Sequence, residues 1–127
     1  MKIEHIAIWV SNLEKMKQFY ENYFGARSGK LYHNPSKNFT SCFLTFSDGA
    51  RLEIMHRPDI FKKNTSADTL GIAHFAISMG SKEKVDLLTE ELHDDGFEVV
   101  GYPRTTGDGY YESVIKDPEG NLLELTV

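Results

Sequence analysis

The sequence predicts a small α+β protein built from two βαβββ modules. Two observations support this fold class: a pattern that occurs twice in the chain, and the hydrophobic periodicity of one helix and four strands within each copy. Residues 5–8 (HIAI) recur as residues 74–77 (HFAI), and residues 49–54 recur as residues 120–125. Two copies are too few for a solenoid, so we expect two modules that pair into one fold.

Each element of the two modules follows from its local pattern. Large aliphatic residues alternate with other residues in the first strand, and the first helix combines a capping-box start at Ser11 and Glu14 with a stop at Gly25. The predicted order is strand 3–10, helix 11–24 and strands 26–32, 39–46 and 51–56, then strand 70–79, helix 81–95 and strands 97–101, 110–116 and 122–127. Polar residues with Pro58 predict a linker at about 58–69, between a first module at about 1–57 and a second at about 70–127.

Composition excludes several classes of function. The 127 residues are 40% hydrophobic and 26% charged, which indicates one globular domain. Lys and Arg number 14 against 19 Asp and Glu, and the net charge of −5 disfavours nucleic acids and anionic membranes as partners. No apolar run is long enough to cross a bilayer, and the patterned N-terminus predicts no signal peptide. The only cysteine, Cys42, is expected to be a buried, inert thiol, which fits a cytoplasmic location.

The period of two residues along a strand places four polar side chains on the faces that the helices do not cover. His5 and His74 alternate with large apolar residues, and Glu53 and Glu124 each lie between two of them. A glutamate between apolar strand neighbours runs against β propensity, and coordination of a metal ion would explain it. Taken singly, each residue is more often a solvated or hydrogen-bonded strand residue than a metal ligand. Their matched places in the repeat favour a shared metal site. The other histidines, at positions 33, 56 and 93, are expected to be solvated.

The chain resembles the glyoxalase/bleomycin-resistance/dioxygenase (vicinal oxygen chelate) superfamily over its whole length. The resemblance rests on residues 5–13 leading to Phe19-Tyr20 and Gly25, on Leu52-Glu53, on residues 74–77, and above all on residues 117–124 (DPEGNLLE). It implies that the paired βαβββ modules form an incompletely closed, eight-stranded barrel around one divalent metal ion. The ion would be Ni²⁺, Zn²⁺, Co²⁺, Mn²⁺ or Fe²⁺, among which nitrogen and oxygen ligands do not discriminate.

Within the superfamily the four-ligand set of His5, Glu53, His74 and Glu124 is similar to that of glyoxalase I (lactoylglutathione lyase). Fosfomycin-inactivating thiol transferases and extradiol dioxygenases lack the ligand at the place of Glu53, and methylmalonyl-CoA epimerase has Gln there. One departure is Trp9, which stands where glyoxalase I has an arginine that helps to hold glutathione. Another thiol, or another substrate of a related isomerase, epimerase or thiol transferase, therefore stays open.

The resemblance implies a metal-dependent lyase or isomerase that transfers a proton between neighbouring carbons through a metal-bound enediolate. Glu124 is the first choice for the base and Glu53 the second. The substrate would be a methylglyoxal–thiol hemithioacetal or a similar oxygen-chelating molecule. We expect Trp9, Arg104, Tyr110 and Tyr111 to contact it, with residues 104–111 forming either a loop over the pocket or a plain hairpin loop.

Two further expectations concern assembly and an alternative function. By resemblance to small bacterial glyoxalase I enzymes we expect a homodimer, in which each site takes His5 and Glu53 from one chain and His74 and Glu124 from its partner. The alternative function is metal-independent binding of an antibiotic or other aromatic ligand, as in bleomycin-resistance proteins of this fold. Such a binder has no need of the complete ligand set.

Overall fold

The computed structural model describes residues 1–61 and 70–127 and divides the chain into two compact units, Met1–Lys63 and Asn64–Val127. Most of the predicted linker, residues 62–69, lies outside the described residues. Each unit has a mixed sheet with one helix, and each sheet is open at both edges. The predicted α+β class with two βαβββ units is confirmed.

The first unit contains one helix and a sheet in which strands β1 and β5 are parallel neighbours. Its elements are β1 (His5–Trp9), α1 (Leu13–Phe24), β2 (Arg27–Ser28), β3 (Tyr32–Asn34), β4 (Phe39–Thr45) and β5 (Arg51–His56). The strand order is β1-β5-β4-β2, and β3 also pairs with β4. The predicted strand 26–32 is therefore divided into two short edge strands, which pair with opposite ends of β4.

The second unit repeats this arrangement with an undivided edge strand. Its elements are β6 (Phe75–Ser78), α2 (Lys82–Asp94), β7 (Val99–Thr105), β8 (Tyr111–Lys116) and β9 (Leu122–Thr126), in the strand order β6-β9-β8-β7. Strand β7 lies at the sheet edge, and its register with β8 shifts twice. Pro103, which has no backbone N–H, is accommodated here because some backbone nitrogens of an edge strand have no partner strand.

The core of each unit lies between its helix and one face of its sheet. The buried side chains are Met16, Phe19, Tyr20, Leu44, Leu52 and Ile54 in the first unit and Val85, Leu88, Leu92, Ile115, Leu123 and Leu125 in the second. In β5 and in β9 every second residue is buried, as the period of two predicts. The glutamates at positions 53 and 124 therefore lie on the face of each sheet that its helix leaves uncovered.

Two local predictions need correction. Helix α1 begins at Leu13, and its N-cap is Asn12, whose side chain accepts a hydrogen bond from the Lys15 backbone nitrogen at 2.9 Å. Ser11 therefore lies one residue before the cap, because asparagine caps a helix as well as serine does. His56 was expected to be solvated, but it is half-buried at the end of β5, with Nδ1 2.9 Å from the Val10 carbonyl oxygen.

Candidate metal centre

The first unit brings His5 and Glu53 together on the uncovered face of its sheet. Ala7 is the parallel partner of Glu53 in the β1–β5 ladder, so His5 lies one same-face position away from that glutamate. The His5 Nε2 atom is 3.9 Å from the Glu53 carboxylate. The side chains are 40% and 15% exposed, so the imidazole is accessible while the carboxylate is largely enclosed.

The second unit brings His74 and Glu124 together in the same way. Ala76 is the parallel partner of Glu124, which gives the second histidine the same two-residue offset from its glutamate as the first. The His74 Nε2 atom is 3.2 Å from the Glu124 carboxylate, and the side chains are 44% and 19% exposed. The repeat seen in the sequence is therefore also a repeat of side-chain geometry.

Each His–Glu pair fits two neighbouring ligands of a divalent ion. Ligands at about 2.1 Å from an ion that subtend a right angle lie about 3.0 Å apart. The separations of 3.2 and 3.9 Å are close enough to this value for small rotations of the side chains to close the difference. Within the described ranges, no group of three or more His, Cys, Asp or Glu side chains is arranged to hold an ion. Each unit contributes two of the four predicted ligands.

A second carboxylate contacts the far side of the His5 ring. Glu4 Oε2 lies 2.5 Å from His5 Nδ1, and Glu4 Oε1 accepts a hydrogen bond from Arg51 Nε at 2.8 Å. The hydrogen bond from His5, together with the Arg51 guanidinium, holds the pKa of the Glu4 carboxyl below its usual range, against a smaller opposing effect of desolvation. A carboxylate on the outer nitrogen of an imidazole is the usual way in which a metal-binding histidine is oriented.

The second unit has an open cavity of about 490 Å³ beside its His–Glu pair. The residues that line it are His74, Ala76, Thr106, Asp108, Tyr110, Glu112, Glu124 and Thr126. Six of the eight lining residues carry a hydroxyl or carboxylate group, so the cavity can offer several hydrogen bonds to a small molecule.

Residues 106–110 form a tight loop that also lines this cavity. The Thr106 nitrogen donates to the Tyr110 carbonyl oxygen at 2.8 Å, and the Gly109 nitrogen donates to the Thr106 carbonyl oxygen at 3.0 Å. The Thr106 hydroxyl donates to Asp108 at 2.5 Å. The structure shows a hairpin loop of which Thr106, Asp108 and Tyr110 line the cavity, and closure of this loop over the cavity stays a prediction.

The predicted substrate contacts lie in different environments. Tyr110 lines the cavity. Arg104 lies next to the cavity and forms an ion pair with the lining residue Glu112 at 3.4 Å. Gly101 leaves space for the Arg104 side chain, because a Cβ atom on residue 101 would lie 3.0 Å from Arg104 Nη1. Trp9 belongs to the first unit, on the same face as His5, with its ring edge-on to Phe39 at 6.3 Å.

Tyr111, another of the predicted substrate contacts, faces away from the cavity. It shares the helix-side face of β8 with Ser113 and Ile115, and its hydroxyl donates to Asp86 on α2 at 2.6 Å. This hydrogen bond raises the pKa of the Tyr111 phenol. Of the two adjacent tyrosines, Tyr110 lines the cavity and Tyr111 contacts the helix.

The turn that precedes β9 was predicted only as a motif, and the structure gives its physical basis. Asp117, which is 4% exposed, accepts hydrogen bonds from the backbone nitrogens of Glu119 and Asn121, each at 2.9 Å, and from the Asn121 side chain at 2.8 Å. Gly120 has φ +87°, which favours glycine. This network fixes the start of β9 and thereby the position of Glu124.

Sequence reasoning missed Glu112 as a residue of the site. Glu112 lies diagonally from Glu124 on the neighbouring strand β8, and its side chain is only 13% exposed. The signal was present, because the period of two places Glu112 and Val114 on the face of β8 opposite to Ser113 and Ile115.

The sequence profile of the Glyoxalase/Bleomycin resistance protein/Dioxygenase superfamily matches residues 2–125. The chain belongs to this superfamily. The crystal structure of a glyoxalase family protein from Enterococcus faecalis is similar to this chain, with a TM-score of 0.81. The two sequences are 28% identical, and the match covers 99% of this chain and 97% of that one. The fold is therefore that of a glyoxalase-superfamily protein.

Two relatives are similar to this chain over nearly all of its length. The uncharacterized protein YwkD of Bacillus subtilis is 28% identical over 97% of this chain and 94% of its own length. The lactoylglutathione lyase GLX1 of Arabidopsis thaliana is 25% identical over 95% of this chain, which spans only 42% of the plant enzyme. Neither helix of the described structure is long and apolar enough to cross a membrane.

Proposed function

We propose that this superfamily protein is a divalent-metal-dependent lyase or isomerase of the glyoxalase I type. In this proposal His5, Glu53, His74 and Glu124 together hold one ion. The observation that carries it is the identical offset of the two His–Glu pairs, in which each histidine lies two residues before the strand partner of its glutamate. A duplicated pair of ligand-type side chains on both uncovered sheet faces has a simple explanation if both pairs serve one ion.

The chemistry of the four side chains suits such an ion. Two neutral imidazole nitrogens and two carboxylates offset the charge of a divalent cation and leave coordination positions for a substrate. An ion bound there supplies Lewis acidity toward a substrate that carries oxygen atoms on adjacent carbons. Ni²⁺, Zn²⁺, Co²⁺, Mn²⁺ and Fe²⁺ all accept this set of ligands.

Glu124 is the carboxylate that we assign as the base. It faces the cavity of the second unit, where a bound molecule would contact Tyr110 and Thr106, and its side chain is only 19% exposed. Its role is to take a proton from the carbon next to a carbonyl group and to return it to the neighbouring carbon. Glu53 is the second choice for this role.

The proposed substrate is a hemithioacetal of methylglyoxal with a thiol, or a molecule of similar size and oxygen pattern. Arg104 and the hydroxyl groups of Tyr110, Thr106 and Thr126 are the groups that we assign to binding it. Trp9, which lies on the same face of β1 as His5, is expected to supply an apolar wall. The substitution of this tryptophan for a glutathione-binding arginine supports a thiol other than glutathione.

We also propose a homodimer with exchanged units, in which His5 and Glu53 of one chain complete a site with His74 and Glu124 of its partner. The open edge strands of both sheets support association, since their unpaired backbone groups can pair with another chain. Sedimentation of a monomer that binds one ion per chain with full affinity would contradict the exchange and leave the metal chemistry in place.

The test of this function is metal-dependent turnover. Protein purified without chelators should contain a divalent metal, and removal of the metal should abolish isomerisation of methylglyoxal hemithioacetals, with restoration by at least one of the five candidate ions. A panel of thiols is assayed in parallel, because the thiol identifies the substrate. Activity that is equal with and without metal, or binding of aromatic ligands by metal-free protein without turnover of any hemithioacetal, would contradict the proposal and favour the metal-independent binding function.

A further inference from the structure

The two histidines of the proposed site differ in how their rings are held. In the first unit, Glu4 contacts His5 Nδ1 and forms an ion pair with Arg51. The Arg51 guanidinium lies over the Phe43 ring at 4.0 Å, and the Phe43 ring meets the His5 ring edge-on at 5.3 Å. His5, Glu4, Arg51 and Phe43 thus form a closed ring of four contacts, which we call the His5 bracket.

The second unit has none of the three residues that support His5. Ala73 precedes His74, where Glu4 precedes His5. Leu122 lies opposite His74 in the β6–β9 alignment, where Arg51 lies opposite His5. Val114 is the partner of Glu124, where Phe43 is the partner of Glu53. The bracket is therefore a feature of the first unit, added to a duplicated pair of ligands.

We propose that Glu4 and Arg51 are positioning residues that hold the His5 imidazole in its Nδ1-protonated tautomer, with the unprotonated Nε2 directed at Glu53. This inference rests on the metal-binding function proposed above. It implies that the half of the site formed by His5 and Glu53 is arranged before the ion arrives.

The tautomer follows from the chemistry of the contacts. A carboxylate accepts hydrogen bonds and does not donate them, so Nδ1 of a neutral His5 ring must be the donor to Glu4. The proton then lies on Nδ1, and the lone pair on Nε2 is free for a metal ion. The Glu4 carboxylate also makes the imidazole a better electron donor. The planar guanidinium of Arg51 forms an ion pair with Glu4 and stacks over the Phe43 ring. The ammonium group of a lysine reproduces neither geometry.

The test is the protonation pattern of the His5 ring in the metal-free protein, measured by long-range ¹⁵N–¹H correlation spectroscopy at a pH where the imidazoles are neutral. We expect the Nδ1-protonated form in the wild-type protein and a shift toward the other tautomer in Glu4→Ala. The Glu4→Gln variant keeps an acceptor oxygen and should retain the wild-type pattern. The signals of His74 serve as an internal reference, because they should not change in either variant.

Metal affinity gives the second readout of the same variants. We expect Glu4→Ala to weaken binding of Zn²⁺ or Ni²⁺ by about tenfold, the lower end of the effect of removing a carboxylate behind a metal-binding histidine. Arg51→Lys should weaken it by a smaller factor. The matched control is Glu14→Ala, which removes another exposed glutamate with an ion pair, to Lys17 at 2.8 Å, and should leave both readouts unchanged.

The outcomes separate this inference from the function on which it rests. An Nε2-protonated His5 in the wild-type protein, or a tautomer that Glu4→Ala does not alter, would overturn the positioning role. The predicted tautomer in a protein that binds neither ion would support the orientation of His5 and overturn the metal site. A tenfold loss of affinity together with the tautomer shift, absent in Glu14→Ala, is the result that we expect.

Discussion

Replacing Glu124 with glutamine should lower kcat for hemithioacetal isomerisation by about 10²–10⁴-fold, the usual contribution of a general base. The amide keeps the size of the side chain and one oxygen able to coordinate, but it cannot accept the proton. Because Glu124 faces the cavity of the second unit and contacts His74, the loss should appear in kcat more than in KM. Steady-state kinetics with the restoring metal at saturation measures the effect.

The matched comparison is Glu53→Gln, which makes the same change at the equivalent position of the first unit. We expect a smaller loss of kcat from this variant. Glu98→Gln is the control, because Glu98 is exposed and bonded to Lys116 at 2.8 Å, and this variant should keep wild-type activity. A larger loss from Glu53→Gln than from Glu124→Gln would contradict the assignment of the base.

Replacing Asp117 with alanine should lower the free energy of unfolding by about 3 kcal/mol. The variant removes a buried carboxylate that accepts three hydrogen bonds, and it leaves the backbone nitrogens of Glu119 and Asn121 without this acceptor. Since the turn fixes the start of β9, the position of Glu124 should also become less defined. Urea denaturation followed by far-ultraviolet circular dichroism measures the change in stability.

Asp48→Ala is the matched control for this prediction. Asp48 lies in the corresponding turn of the first unit, before β5, but it is exposed and bonds only its neighbour, the Gly49 backbone nitrogen, at 2.7 Å. We expect a loss of less than about 1 kcal/mol, because an exposed group can exchange this bond for one to water. Equal losses in the two variants would show that the Asp117 network does not stabilise the turn.

The fold and the common sheet face of each His–Glu pair could be predicted because they depend on periodicity. Alternation along β1, β5, β6 and β9 decides which side chains the helices cover. Because the sequence pattern is repeated, the prediction for each strand of one unit is supported by the corresponding strand of the other. The same rule separates Glu112 from Ser113 and would have separated the helix-facing Tyr111 from the cavity.

The errors arise where several residues satisfy the same local rule or where a distant contact decides. Ser11 and Asn12 are both good N-caps, and only the backbone geometry selects the second. His56 ends a strand, and its contact with the Val10 carbonyl joins residues 46 positions apart. The bond between Glu4 and His5 is also invisible to periodicity, because neighbouring strand residues are expected to point to opposite faces.

The half-buried position of His56 makes it a poor control for metal binding. A His56→Ala variant would remove a half-buried ring and its hydrogen bond, so that it would disturb the first unit as well as test a histidine. His93 on α2 is exposed and contacts its neighbour Asp94, which makes His93→Ala the better control.

The number of ions that each chain binds tests the central claim most directly. If His5, Glu53, His74 and Glu124 hold one ion together, calorimetric titration of metal-free protein should give one tight site per chain, whether the ligands come from one chain or from two. Glu53→Ala and Glu124→Ala should each weaken that one site, and His93→Ala should not. Two independent weak sites per chain, with each glutamate variant removing only one of them, would contradict the account.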